Sequence, residues 1–519
     1  MLEIIGGEIR SQPHNNNYSY LEELIKDADL EMYNVVKYGV KRDGTTDDSA
    51  GLNAALYAAA QDGGGIVYVP DGVYAIKSTL KIYKNTALIL SKNAVIKRMD
   101  NFSPMLLNGD GGVGGYDGDG NIIIDGGVWD GNKDQFPTQF SHMLFGHARN
   151  IIVQNCIMLN NYNSHFIELN AVSGGKVVNC IFDGFSGERR TEALQIDLML
   201  DENTFPYFGP YDKTPCRDIL VQGCTFRNCD RGVGSHTTEV GYPHTNIRIL
   251  GNHFENLVAQ GIRGYNYHNT IIANNTFLNC GEGIEMRAAS QNAFRWTITG
   301  NVIEGASRLG YGIWLLGATG EEIFDCTVTG NTIRDTVAAG IRASRLHLST
   351  ISGNAITFAG NSGITLIYGC TRNTVFGNTI RTPGNQGISL FDGCSRNTIF
   401  GNNIYNPTNH GIAVNSSVDN NVTGNTIWQS GGYGVLLTAS ASDNTVNGNT
   451  FRNTTNHSIR ISDNSHNNNV QGNTIRGSAV GISLTNTCDN NFVTNNDLRN
   501  SGGLQDNGVS TVTTAGNRV

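Results

Sequence analysis

Charge is scarce in this sequence: only 16% of the 519 residues are charged, and acids outnumber bases 45 to 36, for a net charge of -9. That balance excludes a basic face able to displace counterions from nucleic acid, so no nucleic-acid partner is expected. Long apolar runs are also missing. No stretch approaches the roughly 18 apolar residues of a membrane span, so no membrane insertion is expected. The N-terminus, MLEIIGGEIRSQPHNNNYSYLEELI, has no basic segment leading into an apolar core, so no signal peptide is seen. Cysteines number ten, and no CxxC has a second matching pair, which removes support for a zinc site. Cys156, Cys180 and Cys224 recur in QNCIM, VNCIF and QGCTF, and Cys370 and Cys394 in GCTRNT and GCSRNT. Recurrence at equivalent places reads as stacked, buried free thiols rather than disulfides. Helix-length amphipathic segments are absent from the repeats.

Glycine is abundant, with 64 residues, and it punctuates a repeat. GNHF, NNTF, GNVI, GNTI, GNAI, GNTI, GNNI, GNTI, GNTF and GNTI place Asn at 252, 275, 301, 331, 354, 378, 402, 425, 449 and 473, with later steps of 23 or 24 residues. Between them lie apolar runs of three to five residues, the length of strands, bounded by the Gly and Asn that tight turns require. One unit cannot bury its own inner face, so units must stack. The expected fold is all-β, a right-handed parallel β-helix rising about 4.8 Å per coil, and thirteen coils from HFIELN to VGISLT would span about 60 Å. Stacked in register, the recurring Asn side chains form a ladder of amides. Residues 46–61, within GTTDDSAGLNAALYAAAQDGGG, read as a short capping helix over the open N-terminal end. The C-terminus shows no evident cap. This gives a leader over 1–32 and one solenoid over 33–519, with active-site coils at about 160–290 and regular repeats at about 300–500.

The segment YNVVKYGVKRDGTTDDSAGLNAALYAAAQDGGGIVYVPDGVYAI, residues 33–76, resembles the entry module of the pectate-lyase-like superfamily. That superfamily includes polygalacturonases, phage tailspike depolymerases and alginate epimerases, and one scaffold serves hydrolases, lyases, epimerases and silent adhesins. IGGEIRSQPHNNNYSYL resembles leaders of phage tail proteins, which implies an extracellular or virion-associated protein released without a signal peptide. The catalytic NTD, DD and GHG of polygalacturonases correspond here to NSH, AL and RGVGSH, and the DPH of alginate epimerases to YNSHFIE, so neither set transfers.

Register supplies candidates instead. Aligning the Ile of each GI-type strand puts Glu168, Asp197, Gly234, Arg263, Glu285, Trp314, Arg342, Thr365, Ser389, Ala413 and Leu436 in one column, expected to face solvent. Two residues on come Asn170, Met199, His236, Tyr265 and Arg287. Acids, His and Arg crowd the first coils and vanish later, which marks a site. In the same region the step from Cys180 to Cys224 is 44 residues and includes DENTFPYFGPYDKTP, whose Phe205, Tyr207, Phe208 and Tyr211 suit stacking on sugars or cover apolar surface. The excursion HTTEVGYPHTN adds His236 and His244.

The alignment places Glu168 and Asp197 about 5 Å apart on neighbouring coils, where two carboxyls resist joint ionisation. That pairing suits glycoside hydrolysis. Asp197 is the candidate acid or nucleophile, Glu168 or Glu192 its partner, and His165 and His236 orienting or proton-relay groups. Arg263, His244, Glu285, Arg287, Tyr265, Tyr207 and Trp314 are candidate substrate contacts. No metal is required for hydrolysis. A uronate lyase or C5-epimerase would use His236 with Arg263, or calcium held by Glu168 and Asp197, and a silent glycan-binding adhesin would use neither. The Asp-rich NGDGGVGGYDGDGNIIIDGG lacks the closing Glu of an EF-hand and reads as turns. The apolar outward column past residue 350, with the tailspike likeness, implies a homotrimer.

Overall fold

The computed structural model describes residues 32–519 apart from 189, 190, 204, 514 and 515, together with the backbone of Leu2–Ile5 and Glu8–Ser11. The expected leader lies almost wholly outside the described residues. The rest is a right-handed parallel β-solenoid of about 19 turns, and among the described residues one α-helix, Ser49–Gln61, lies near its start. The thirteen coils counted from the sequence are its central and later part.

Short β-branched runs between Gly/Asn corners give each coil three strands. Ile388–Phe391, Thr398–Phe400 and Asn403–Tyr405 form one such coil, each strand paired in parallel with its counterparts in the coils before and after. Successive residues alternate between inside and outside. Ile388, Leu390, Ile399 and Ile404 are fully buried, each contributing roughly 1.5–3 kcal/mol relative to exposure.

The corner before each third strand carries the Asn ladder. The side-chain amide of Asn402 donates to Oδ1 of Asn425 at 2.9 Å, and the same link runs from Asn252 through Asn275, Asn301, Asn331, Asn354 and Asn378 to Asn496 and Asn517. The preceding Gly377, Gly401, Gly424 and Gly448 hold φ of 62–63°, a conformation that a side chain would strain. A second ladder, not anticipated from the sequence, joins Asn373, Asn397, Asn420, Asn444, Asn468 and Asn491 at the corner before the second strand. In earlier coils Cys156, Cys180 and Cys224 hold the first corner, and the backbone N–H of Cys224 meets Oδ1 of Asn252 at 2.9 Å. All ten cysteines are free and buried, as their spacing indicates.

The helix begins three residues later than expected and buries Leu52, Ala55, Leu56 and Ala59 against the first coil. Asp48 does not cap it; its carboxylate takes the N–H groups of Lys41 and Arg42, while Asp47 Oδ1 accepts from Ser49 N at 3.0 Å. No helix among the described residues is long and apolar enough to cross a membrane.

Two expectations need correction. Phe205 and Phe208 of the long insertion are fully buried and join Leu107, Leu144, Ala171 and Met199 in a small second core on the outer face of the sheet. They cover apolar surface and leave no face for a sugar. Thr365, Ser389 and Ala413 are also buried, Thr365 and Ser389 joined by a hydrogen bond between their hydroxyls, and Leu436 is half-buried. The outward column is therefore no exposed apolar surface, and it gives no ground for a homotrimer.

Candidate active site

Strand pairing first corrects the register. Opposite Ile167, Glu168, Leu169 and Asn170 stand Leu194, Gln195, Ile196 and Asp197. The neighbour of Glu168 is therefore Gln195, and Asp197 lies diagonally, its backbone roughly 8 Å away by strand geometry rather than 5 Å. Glu192 in turn faces Arg231, and Gln260 faces Glu282. The outer face of these coils thus carries three polar columns, one through Glu192 and Arg231, one through Glu168, Gln195, Arg263 and Glu285, and one through Asn170, Asp197, Tyr265 and Arg287.

These side chains do not face open water, contrary to the expected exposure of the column. Glu192, Asp197 and Glu285 are buried, and Glu168 is 6% exposed. The loop bearing His236 and Thr237 closes over Glu192 and Asp197, and Tyr207 of the insertion lies near Glu168. At the centre, Glu192 Oε2 meets His236 Nδ1 at 3.0 Å, while Oε1 has Arg231 at 3.4 Å and Arg263 at 3.7 Å. Burial alone would raise the Glu192 pKa, but the His236 hydrogen bond and the surrounding positive charge bring it down to about 2. Burial would likewise lower His236, yet its bond to Glu192 and the charges of Asp197 and Glu168 lift it to about 9. The two form an ion pair at neutral pH.

Glu168 is set the other way. Burial pushes it up to about 7, with a short hydrogen bond from Ser141 Oγ as the main opposing effect. Asp197 is also raised by burial, and its oxygens are already taken: Oδ1 by the Thr237 N–H at 3.1 Å and the Thr237 hydroxyl, Oδ2 by Gln195 Nε2 at 2.8 Å and His236 N at 3.4 Å. It fixes the chain at 236–237. His165 stacks on His236, ring centroids 5.6 Å apart and 10° from parallel, and burial holds its pKa down to about 4. Its Nδ1 lies 2.6 Å from the Glu192 carbonyl, so Nδ1 carries the proton and Nε2 keeps its lone pair.

The accessible surface in front is cationic. The His236 side chain is 34% exposed, and partly exposed Arg263 and Arg287 sandwich the Tyr265 ring at 4.5 and 5.1 Å. Glu285 is held by Arg287 at 2.7 Å and Gln260 at 2.8 Å. Trp314, opposite Glu285, packs on Tyr311 at 4.8 Å. Buried His244 accepts the Cys216 N–H, whereas half-exposed Tyr207 bonds the carbonyl of Ser103, beside the Ser141 that holds Glu168, and burial together with the Glu168 charge raises the Tyr207 pKa. Arg231, Gln195, Thr237 and Ser141 were not picked out from the sequence; Arg231 becomes legible once it is placed opposite Glu192. Asn170 is buried with neither amide atom hydrogen-bonded among the described residues, which a water or ligand would satisfy.

The donor set does not suit calcium at Glu168 and Asp197. Calcium needs six to eight oxygens, whereas both Asp197 oxygens already accept N–H and O–H donors and one Glu168 oxygen accepts from Ser141. His165, Glu192 and His236 bring potential ligand atoms within 4.8 Å of one another, but two arginines already neutralise Glu192.

Residues 32–312 match the family model described as rhamnogalacturonase A/epimerase, pectate lyase-like. The chain belongs to this family. Residues 339–498 match a right-handed beta helix region. Among curated proteins, plasmin and fibronectin-binding protein A of Streptococcus pneumoniae is 27% identical over 56% of this chain and 47% of its own length. The pre-neck appendage protein of Bacillus phage phi29 is 25% identical over 49% of this chain and 27% of its own length. The chain thus spans less than half the length of these relatives. Among solved structures, the N-terminal fragment of phage phi29 gene product 12 superposes with a TM-score of 0.53 at 13% identity, covering 96% of both chains. Tailspike protein 3 of bacteriophage CBA120 gives 0.50 at 16% identity, over 82% of this chain and 60% of that one. At such identities the likeness is one of fold.

Proposed function

We propose that this pectate-lyase-like chain is a depolymerase that hydrolyses glycosidic bonds of an acidic bacterial surface or capsular glycan. The observation that carries this reading is the opposite setting of two carboxyl groups on one face of the sheet: Glu168 pushed up to about 7 and Glu192 drawn down to about 2. Carboxyls whose surroundings drive them apart supply a proton donor and a permanent anion.

Glu168 protonates the leaving glycosidic oxygen as the C–O bond breaks. A water attacks the anomeric carbon and gives its proton to His165 Nε2, whose Nδ1–H stays on the Glu192 carbonyl. Proton exchange with solvent then resets both groups. Glu192 keeps His236 charged, and His236, Arg263 and Arg287 bind substrate carboxylates. Asp197 is a positioning residue that holds Thr237. The phage pre-neck appendage protein and the pneumococcal plasmin and fibronectin-binding protein among the similar proteins support a place outside the producing cell or on a virion.

The test is a panel of acidic and neutral glycans read for new reducing ends and for ultraviolet-absorbing unsaturated ends. Reducing ends alone, lost in Glu168→Gln with binding retained, are the expected result. Unsaturated ends would replace hydrolysis by elimination. Binding with no product would favour the second reading, a silent adhesin, which the burial of every carboxyl behind a cationic front supports.

A further inference from the structure

On the third strands of the regular coils, Arg334, Thr357, Arg381, Tyr405, Trp428, Arg452 and Arg476 fall in register on consecutive coils. Their neighbours Ile380, Ile404, Ile427 and Phe451 are fully buried, so this column faces outward. It lies on a different sheet from the groove of Glu168. Three coil steps separate Arg381 from Arg452, about 14 Å along the axis.

Two aromatic rings stand at its middle. Tyr405 and Trp428 have centroids 6.5 Å apart and planes 31° from parallel, and Trp428 is 37% exposed. Arg381 lies 5.5 Å from the Tyr405 ring and Arg452 5.6 Å from the Trp428 ring. Beside them an open groove of about 500 Å³ is lined by Thr357, Phe358, Arg381, Thr382, Tyr405 and Asn406, with Phe358 46% exposed. The outer arginines are engaged, Arg334 with Asp335 and Arg476 with Asp497. Arg381 and Arg452 have no ion pair among the described residues. Two guanidinium groups without a carboxylate partner among the described residues thus flank the two rings.

We propose that this stripe is a second glycan-binding site, for an extended polysaccharide carrying carboxylate groups. The rings offer flat apolar faces to the C–H faces of successive sugars, and the guanidinium groups offer paired N–H donors to carboxylates. The coil repeat sets the platforms at intervals that an extended chain of pyranoses can follow. A nucleic acid would need more unpaired cations than two. The site stands whether or not the groove on the other sheet cleaves its ligand.

Calorimetric titration with polygalacturonate, alginate and hyaluronan, and with neutral dextran as control, tests it. The protein is the full chain carrying Arg263→Gln and Arg287→Gln, which weaken the other groove. At least one acidic polymer is expected to bind, dextran is not, and added salt should weaken the complex. Tyr405→Ala with Trp428→Ala should then lower affinity tenfold or more, as should Arg381→Gln with Arg452→Gln, which leaves both rings in place if the first pair disturbs folding. Bound polymer should also shield Trp428 from acrylamide quenching. The proposal fails if none of the three polymers binds, or if both double variants bind as tightly as their parent. It also fails if light scattering shows an oligomer that Trp428→Ala reduces to the 56.0 kDa chain, since the stripe would then be an interface between copies.

Discussion

The two halves of the solenoid share one coil plan but differ at its corners. From Asn252 onward the corner before the third strand is an Asn bonded to the Asn above and below, and from Asn373 a second corner is too. Before residue 252 the same corner holds Cys156, Cys180 and Cys224, whose thiols fill space but make only weak hydrogen bonds. The ladder persists through steps of 26 and 30 residues between Asn275 and Asn331 and settles to 23 or 24 residues with short, plain turns from Asn331 onward. The thiol corners border the larger irregularity. There the chain accommodates a 44-residue step, a second small core and the buried acids of the groove. The buried acids Glu168, Glu192 and Asp197 stand in the thiol half, whereas Arg263, Glu285 and Arg287 already stand on coils that carry the first Asn ladder.

The sharpest way to break this comparison is to substitute one column in both halves. Glu168→Gln should lower kcat by about 10²–10⁴-fold, whereas Ser389→Ala, in the same column farther along, should leave it unchanged. Equal effects on a reducing-end assay would mean that the early coils are not the seat of catalysis. Stability should divide the same way. Glu192→Ala leaves His236 and Arg231 without their buried anion and should cost about 3–5 kcal/mol in denaturant unfolding; Gln386→Ala, at the corresponding place on a regular coil, should cost about 1 kcal/mol or less.

At the corners the order reverses. Asn402→Ala leaves the buried Asn378 backbone N–H without its acceptor and breaks links to the Asn378 side chain, Asn425, Val375 and Phe400, so a loss of about 2–3 kcal/mol is expected. Cys224→Ala should cost about 1 kcal/mol, and parity between the two would remove the ladder as the source of regularity. The smallest effect is on pH dependence. His236, raised to about 9, adds stability that is complete below its unfolded value of 6.5 and disappears as pH rises through 9. Glu192, lowered to about 2, adds stability that is present above 4.5 and lost as pH falls toward 2. Glu192→Gln should therefore flatten the decline in melting temperature between pH 6.5 and 9.

The fold was legible because its signal repeats: the Asn at 252 through 473, the apolar runs and the helix near residue 50 each follow from local chemistry. The site was only half legible. Glu168, Glu192, His165, His236, Arg263 and Arg287 do come together, because shared sheet position is readable from spacing. The register of Asp197 was not, since Leu194 and Ile196 are both apolar and either satisfies an inward slot; a slip of two residues keeps every face correct. Burial was not legible either, because what shelters Glu168 and Asp197 is an irregular segment with no period. Phe205 and Phe208 show the same limit: a ring in an insertion looks alike in sequence whether it turns outward or folds back.

The Asn ladder has one further consequence, for length. Each rung donates in the same direction, from the lower-numbered coil to the higher, and each is satisfied by the next without regard to how many follow. Such a stack is a ruler with identical graduations. Removing or duplicating one unit of 23 or 24 residues shifts everything beyond it by one graduation, about 4.8 Å, and leaves every remaining rung bonded as before. The distance between the groove of Glu168 and whatever lies past residue 498 can therefore be set in whole steps, independently of the groove.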